Sequence, residues 1–314
     1  NFNRVRLSWG PEIGPEGLAV TALSDESNPP VARVRVLADD ALGVPAAHEV
    51  GADGETWRLP ARALGGQGSR WLPVRRPALY AAEVFREIAA ARGIEMPEPR
   101  PGHLRDDARI IARAFSRPLG EMLGDMLRYS TNLSAEVLGL AASRAGGARP
   151  RSLADSAEAM NLWIARELGR RLPGPQVAFA NHSGLSAASR VAPADLVELL
   201  LRVTRRPARP LARHPRLPGP GAALLRPYRM ALGEGAAGAQ VHAKTGTMDY
   251  IRGLAGYIVT PNRRRLAFAI FSNDLPRRGG TVRAIDRTWM ARARRFERAL
   301  IRSWVARFDG PRGG

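Results

Sequence analysis

The chain has 314 residues, 45% hydrophobic and 25% charged, an ordinary globular composition with room for one large domain and a smaller one. It contains no cysteine and no apolar run of about 18 residues or more, which excludes disulfides and a transmembrane helix and fits either a reducing compartment or an exported bacterial protein. The formal net charge is +19, but only one of the 48 basic residues is lysine, so the excess reads as an arginine-rich coding bias; with no DNA- or RNA-binding motif present, a nucleic-acid partner is not expected.

The sequence opens on Asn1 rather than methionine, and residues 1–7 already read as a strand with no signal-peptide pattern. It is therefore expected to lie inside a longer gene product. Residues 1–74 carry short alternating runs such as Val31-Ala32-Arg33-Val34-Arg35-Val36, broken by Gly, Pro and Asp, and read as a small β-rich unit. From Pro77 the spacing turns helical: Leu79, Ala82, Val84, Phe85, Ile88 and Ala89 share a face, and Gly93 follows as a stop. A proline-rich connector occupies 97–101. Ser116 is expected to cap a helix over 117–128, with Pro118 in its first turn. A second helix follows over 132–143, and Ser130-Thr131-Asn132 forms the junction. A further helix spans 152–169 with Leu153, Met160, Trp163, Ile164 and Leu168 as its apolar set.

Residues 205–221 hold five prolines and read as a loop. Strands are predicted over 239–246, 254–259 and 266–271, the last two joined by a hairpin loop at 261–265. The chain ends in a long helix capped by Thr281. Its stripe is Val282, Ile285, Trp289, Ala293, Phe296, Leu300, Trp304 and Phe308, with arginines on the other face. A basic amphipathic helix leaves peripheral membrane association open. The expectation is a helix packed on a sheet with its charged side in water.

Lys244, the lone lysine, stands in Ala243-Lys244-Thr245-Gly246-Thr247. Where arginine supplies every generic positive charge, a single lysine points to chemistry that needs a compact, tunable ammonium. Ser130 and Asn132 taken alone fit helix caps. His182 and His242 read as structural, and Glu136 and Asp125 as helix-surface charges. There is no metal-ligand spacing and no phosphate-cradling glycine loop, so no metal or cofactor is expected.

Taken together, several stretches resemble the D-alanyl-D-alanine carboxypeptidase/endopeptidase family of low-molecular-mass penicillin-binding proteins (peptidase family S13, the class C group). They are Tyr129-Ser130-Thr131-Asn132-Leu133-Ser134-Ala135-Glu136 for S-x-N and Ser183-Gly184-Leu185-Ser186 for S-G-L-S. His242-Ala243-Lys244-Thr245-Gly246-Thr247 stands for the K-T-G strand, followed by Leu254-Ala255-Gly256-Tyr257. Trp71-Leu72-Pro73-Val74 and residues 77–82 resemble the return from that family's inserted domain. Asn181-His182 departs from the family's usual Asp-Gly.

The resemblance implies an α/β (α+β) serine β-lactamase/transpeptidase-like fold. That is an antiparallel sheet flanked by helices plus a helical subdomain, incomplete at the N-terminus. Residues 1–74 would be the remnant of the β-rich inserted domain and 75–314 the C-terminal part of the penicillin-binding domain. It implies a serine-type D-Ala-D-Ala carboxypeptidase or DD-endopeptidase acting through an acyl-enzyme on peptidoglycan stem peptides, with β-lactams as inhibitors, in the periplasm or cell envelope. Ser130 would relay a proton, Asn132 orient the substrate, and Lys244 keep the cleft positive. Thr245 and Thr247 would hold the substrate carboxylate, Gly246 admit its backbone, and the Thr247 N–H form half of an oxyanion hole. The family's nucleophilic S-x-x-K is absent: the only lysine is preceded three residues back by Val241. That motif is expected upstream of Asn1; the alternative is a non-catalytic peptidoglycan-binding homologue that has lost it.

Overall fold

A computed structural model of the chain describes residues 4–10, 18–21, 33–44, 46–51, 54–103, 105–169, 177–205, 236–278 and 286–310. They fall into two units, Asn1–Ala112 and Arg113–Gly314. The first unit carries β1 (Arg4–Trp9), β2 (Leu18–Thr21), β3 (Val34–Ala38), β4 (Ala47–Val50), β5 (Glu55–Leu59), β6 (Gly68–Pro73) and α1 (Pro77–Ala90). β1 pairs antiparallel with β2 and β6, while β5 lies between a parallel β3 and an antiparallel β4. Alternation drives Val5, Leu7, Val34 and Val36 inward, where they meet Trp57, Leu59 and Leu72.

Helix α1 adds Tyr80 and Val84 to that same core. The buried Glu55 carboxylate accepts the backbone N–H groups of Arg75 and Arg76 at 2.8–2.9 Å, fixing the turn that leads into the helix. By contacts the chain divides after Ala112, and α1 buries Tyr80 and Val84 on the β-rich unit. Phe85, placed on the apolar face from the sequence, is exposed. Gly93 does stop the chain, in the left-handed region at φ 74°.

The second unit carries α2 (Leu119–Tyr129), α3 (Asn132–Ala145), α4 (Leu153–Glu167), β7 (Val177–Ala178), β8 (Arg190–Val191), α5 (Pro193–Arg205), β9 (Gln240–Met248), β10 (Ile251–Val259), β11 (Arg265–Asn273) and α6 (Arg287–Phe308). β9, β10 and β11 form an antiparallel sheet in the order β11-β10-β9. Neighbouring residues on β10 point to opposite faces. Ile258 and Leu254 pack under Ile301 and Val305 of α6. Tyr257 turns the other way, and its hydroxyl donates to the Leu200 carbonyl of α5 at 3.0 Å. The sheet is thus flanked by helices, as the fold class requires.

Two helix assignments shift. Pro118 itself occupies the N-cap of α2 and Ser116 donates to the Arg117 carbonyl, so the expected serine cap does not form and the helix starts at Leu119. On α6 the buried face is Trp289, Met290, Ala293, Glu297, Ile301 and Val305. The sequence stripe followed Phe296 and Phe308, which are 52% and 41% exposed. Trp289 and Ala293 of that stripe are buried, and Leu300 and Trp304 pack partly against the sheet core; from Phe296 onward the stripe runs one residue ahead of the buried face, because it steps around a carboxylate that belongs inside. Asp286 caps this helix, accepting from Thr288 and Trp289 N–H. The expected cap at Thr281, with Val282 and Ile285, lies outside the described residues, as do the prolines of 206–235.

Candidate active site

The corner between α2 and α3 sets the first side of the site. Ser130 ends α2 in the left-handed conformation (φ 53°), its N–H bonded back to the Met126 carbonyl. That geometry costs about 1–2 kcal/mol in a residue with a Cβ, and such strain collects at functional positions. Thr131 is the N-cap of α3 without a side-chain cap bond, and Asn132 is the first helical residue. Ser130 thus caps α2 through its backbone alone, which leaves its side chain free of capping, and Asn132 is no cap; both face a cavity of ≈ 790 Å³.

Strand β9 forms the facing wall. Lys244 Nζ donates to Ser130 Oγ at 2.6 Å and to the Thr245 carbonyl at 2.7 Å. Burial, and then the Arg252 guanidinium nearby, pull the Lys244 ammonium below its ordinary 10.5. Thr245, Gly246 and Thr247 continue the wall. Gly246 has open space where a Cβ would stand, and lies opposite Gly253 on β10. Among the described residues β9 pairs only with β10, so its outer edge, along Lys244–Thr247, is free to receive an extended chain. All six residues chosen from the sequence come together around this one cleft.

The third wall is the 183–186 turn, and a residue misread from the sequence holds it. Glu136 is not a surface charge: its two carboxylate oxygens accept the backbone N–H groups of His182 (3.1 Å) and Ser183 (3.0 Å). Burial pushes this carboxyl up, but the bonds from the Ser183 side chain and both backbone N–H groups outweigh it and hold the group below its ordinary range. Asp125 does behave as a helix-surface charge, paired with Arg117 at 2.5 Å. His182 packs against α3 so closely that a Cβ on Gly139 would stand 2.1 Å from its ring. Its Nε2 meets Ser156 Oγ at 2.8 Å. The imidazole is a structural peg and does not line the cleft. His242 faces Tyr257 across the sheet and is also absent from the lining.

Behind β9 lies a buried pair that sequence reasoning missed. Arg252 binds both oxygens of Glu297 through Nε (2.8 Å) and Nη2 (3.2 Å), and its Nη1 donates to Thr247 Oγ1 at 3.0 Å. The available signal was Glu297 itself, a lone carboxylate at the buried spacing 289, 293, 297, 301, 305 of α6. Among the described residues no group of three His, Cys, Asp or Glu could hold a metal, and no helix is long and apolar enough to cross a membrane.

Comparison with known proteins places this arrangement. Carboxypeptidase DacB of Mycolicibacterium smegmatis is 31% identical over 218 residues, 68% of this chain and 46% of that protein. Carboxypeptidase Rv3627c of Mycobacterium tuberculosis is 29% identical over 205 residues, 64% of this chain and 43% of that protein. The chain thus spans a little under half the length of the curated relatives it matches. In fold it is similar to penicillin binding protein 4 (dacB) from Haemophilus influenzae, crystallised with a novel beta-lactam: TM-score 0.63, 19% identity, covering 96% of this chain and 68% of that one. The model of the D-Ala-D-Ala carboxypeptidase 3 (S13) family matches residues 58–293, which takes in the Ser130 corner, the Glu136-clamped turn and β9 in one stretch; to that family this chain belongs.

Proposed function

We propose that the intact protein is a serine-type D-Ala-D-Ala carboxypeptidase or DD-endopeptidase acting on peptidoglycan stem peptides in the cell envelope. The observation that carries this reading is the 2.6 Å contact from Lys244 Nζ to Ser130 Oγ across a cleft edged by an open strand. A stem peptide lies along β9 as an added strand, with Gly246 letting its backbone approach. Its terminal carboxylate sits among Thr245, Thr247 and the Lys244 ammonium. A serine oxygen from an S-x-x-K segment in the rest of the protein bonds to the carbonyl carbon of the penultimate D-alanine as its hydroxyl proton passes to the lysine of that segment, the source of the proton that Ser130 later relays. The Thr247 N–H stabilises the oxygen that becomes negative. The C–N bond then breaks, the leaving nitrogen takes a proton relayed through the Ser130 hydroxyl, and free D-alanine departs. Water adds to the ester and displaces the serine. β-Lactams enter the same cleft and acylate the same serine.

The test is the full-length protein with a fluorescent penicillin and with a peptide ending in D-Ala-D-Ala. Covalent labelling, mapped by mass spectrometry to a serine of S-x-x-K, and release of D-alanine are expected. An intact protein that neither labels nor releases D-alanine overturns the reading. Muropeptide binding without turnover would instead assign a non-catalytic wall-binding homologue.

A further inference from the structure

We infer that Arg252, gripped by Glu297, is a positioning residue that fixes the Thr247 hydroxyl as a hydrogen-bond donor toward an anionic group in the cleft. The inference rests on the carboxypeptidase reading and names a device that selects its carboxylate-ended substrate. Arg252 on β10 stands directly opposite Thr247 on β9 in the strand register. A guanidinium carries only donors. In the 3.0 Å contact the Thr247 oxygen must therefore accept, and the hydroxyl hydrogen is left to point elsewhere. Thr247 lines the cavity beside Lys244, where that hydrogen can meet a carboxylate oxygen. A threonine free to rotate could equally present its lone pairs to the anion, which would repel it.

The guanidinium is itself unable to turn. Its Nε and Nη2 grip the two oxygens of Glu297 as a fork, and the side chains are only 4% and 1% exposed. Burying such a pair is expensive, and well-packed apolar residues often serve stability as well or better. This pair also aims a third donor at a cleft residue, the Thr247 hydroxyl. Lysine could not take the part, since one compact ammonium cannot hold the planar two-point grip and reach Thr247 in a fixed direction. Arg252 also helps lower the neighbouring Lys244 ammonium, so both wall residues that meet the carboxylate feel the same buried cation.

The experiment uses the full-length protein with the buried pair replaced by apolar residues (Arg252→Met with Glu297→Leu), a Thr247→Val variant, and the two combined. Each is assayed on a peptide ending in a D-Ala-D-Ala carboxylate and on its C-terminal carboxamide. Both variants are expected to lose about tenfold in kcat/KM on the carboxylate peptide, as for a lost hydrogen bond to a charged group, and a clearly smaller factor on the carboxamide, whose oxygen accepts only a neutral hydrogen bond. In the Thr247→Val background, removing the pair adds nothing further. Arg252→Lys keeps a cation beside Glu297 without the fork; it serves as a second variant with the same expected selectivity should the paired replacement fail to fold. With an active wild type, equal losses on both peptides, no loss, or additive losses overturn the inference alone. A wild type inert to both peptides and to penicillin overturns the carboxypeptidase reading and this inference with it.

Discussion

Glu136→Gln tests how the 183–186 turn is held against the cleft. The native carboxylate accepts two backbone N–H groups, one on each oxygen. The amide keeps one acceptor and turns an NH2 group toward the other N–H, so one charge-assisted bond is lost outright and two donors face each other. A bond of this kind contributes about 1.5–3 kcal/mol; with solvent still reaching the half-buried carboxylate, about 1–2 kcal/mol is expected. For a unit of this size that lowers Tm by about 2–8 °C. The dependence on pH is the sharper check. The folded-state carboxyl lies below its ordinary 4.5, so its contribution is fully present above that value and is lost as pH falls through the depressed folded value. Wild type and Glu136→Gln should differ in Tm at neutral pH and converge in acid. Scanning calorimetry across that range decides it. Equal Tm at neutral pH, or a gap that stays constant into acid, would refute the clamp.

Three further outcomes follow from the same geometry. Gly139→Ala places a Cβ 2.1 Å from the His182 ring and should destabilise by about 1–3 kcal/mol in urea titration, with the turn displaced. Ser130→Gly should be about 1 kcal/mol more stable than Ser130→Ala, because only glycine takes φ 53° without strain; both should lose most penicillin labelling if the hydroxyl relays the proton. The Lys244 ammonium is held below 10.5 by burial and by Arg252, so the alkaline loss of labelling in the intact protein should begin below the ordinary lysine range. Arg252→Met with Glu297→Leu should move that limb upward, and a limb that stays put would show that Arg252 does not reach Lys244.

The sequence disclosed the site better than its supports. Lys244 stands out because arginine fills every other basic position, and Ser130 and Asn132 because the stretch around them resembles one family's S-x-N motif. What carries these residues was hidden for physical reasons. Glu136 looked like any polar residue on a helix, since its partners are backbone groups 46 and 47 residues away and leave no pattern. Arg252 and Glu297 are 45 residues apart. A buried charge is so uncommon that periodicity reasoning steered the α6 stripe toward Phe296 and Phe308 and away from Glu297. The antiparallel hairpins were legible because β10 and β11 carry long apolar runs. The place of α1 was not, because a helix following a β-rich segment can close that segment or open the next, and only Tyr80 and Val84 in the first core decide between them.

The open margin of β9 has one more consequence. Backbone groups that welcome a foreign peptide do not distinguish it from a sibling molecule, so the same rim invites chain-to-chain stacking and insoluble aggregates. Lys244, whose ammonium reaches across to Ser130, keeps a positive charge beside that rim, and a charge there discourages such stacking. An apolar replacement there should cost solubility in crowded solution, quite apart from any loss of turnover.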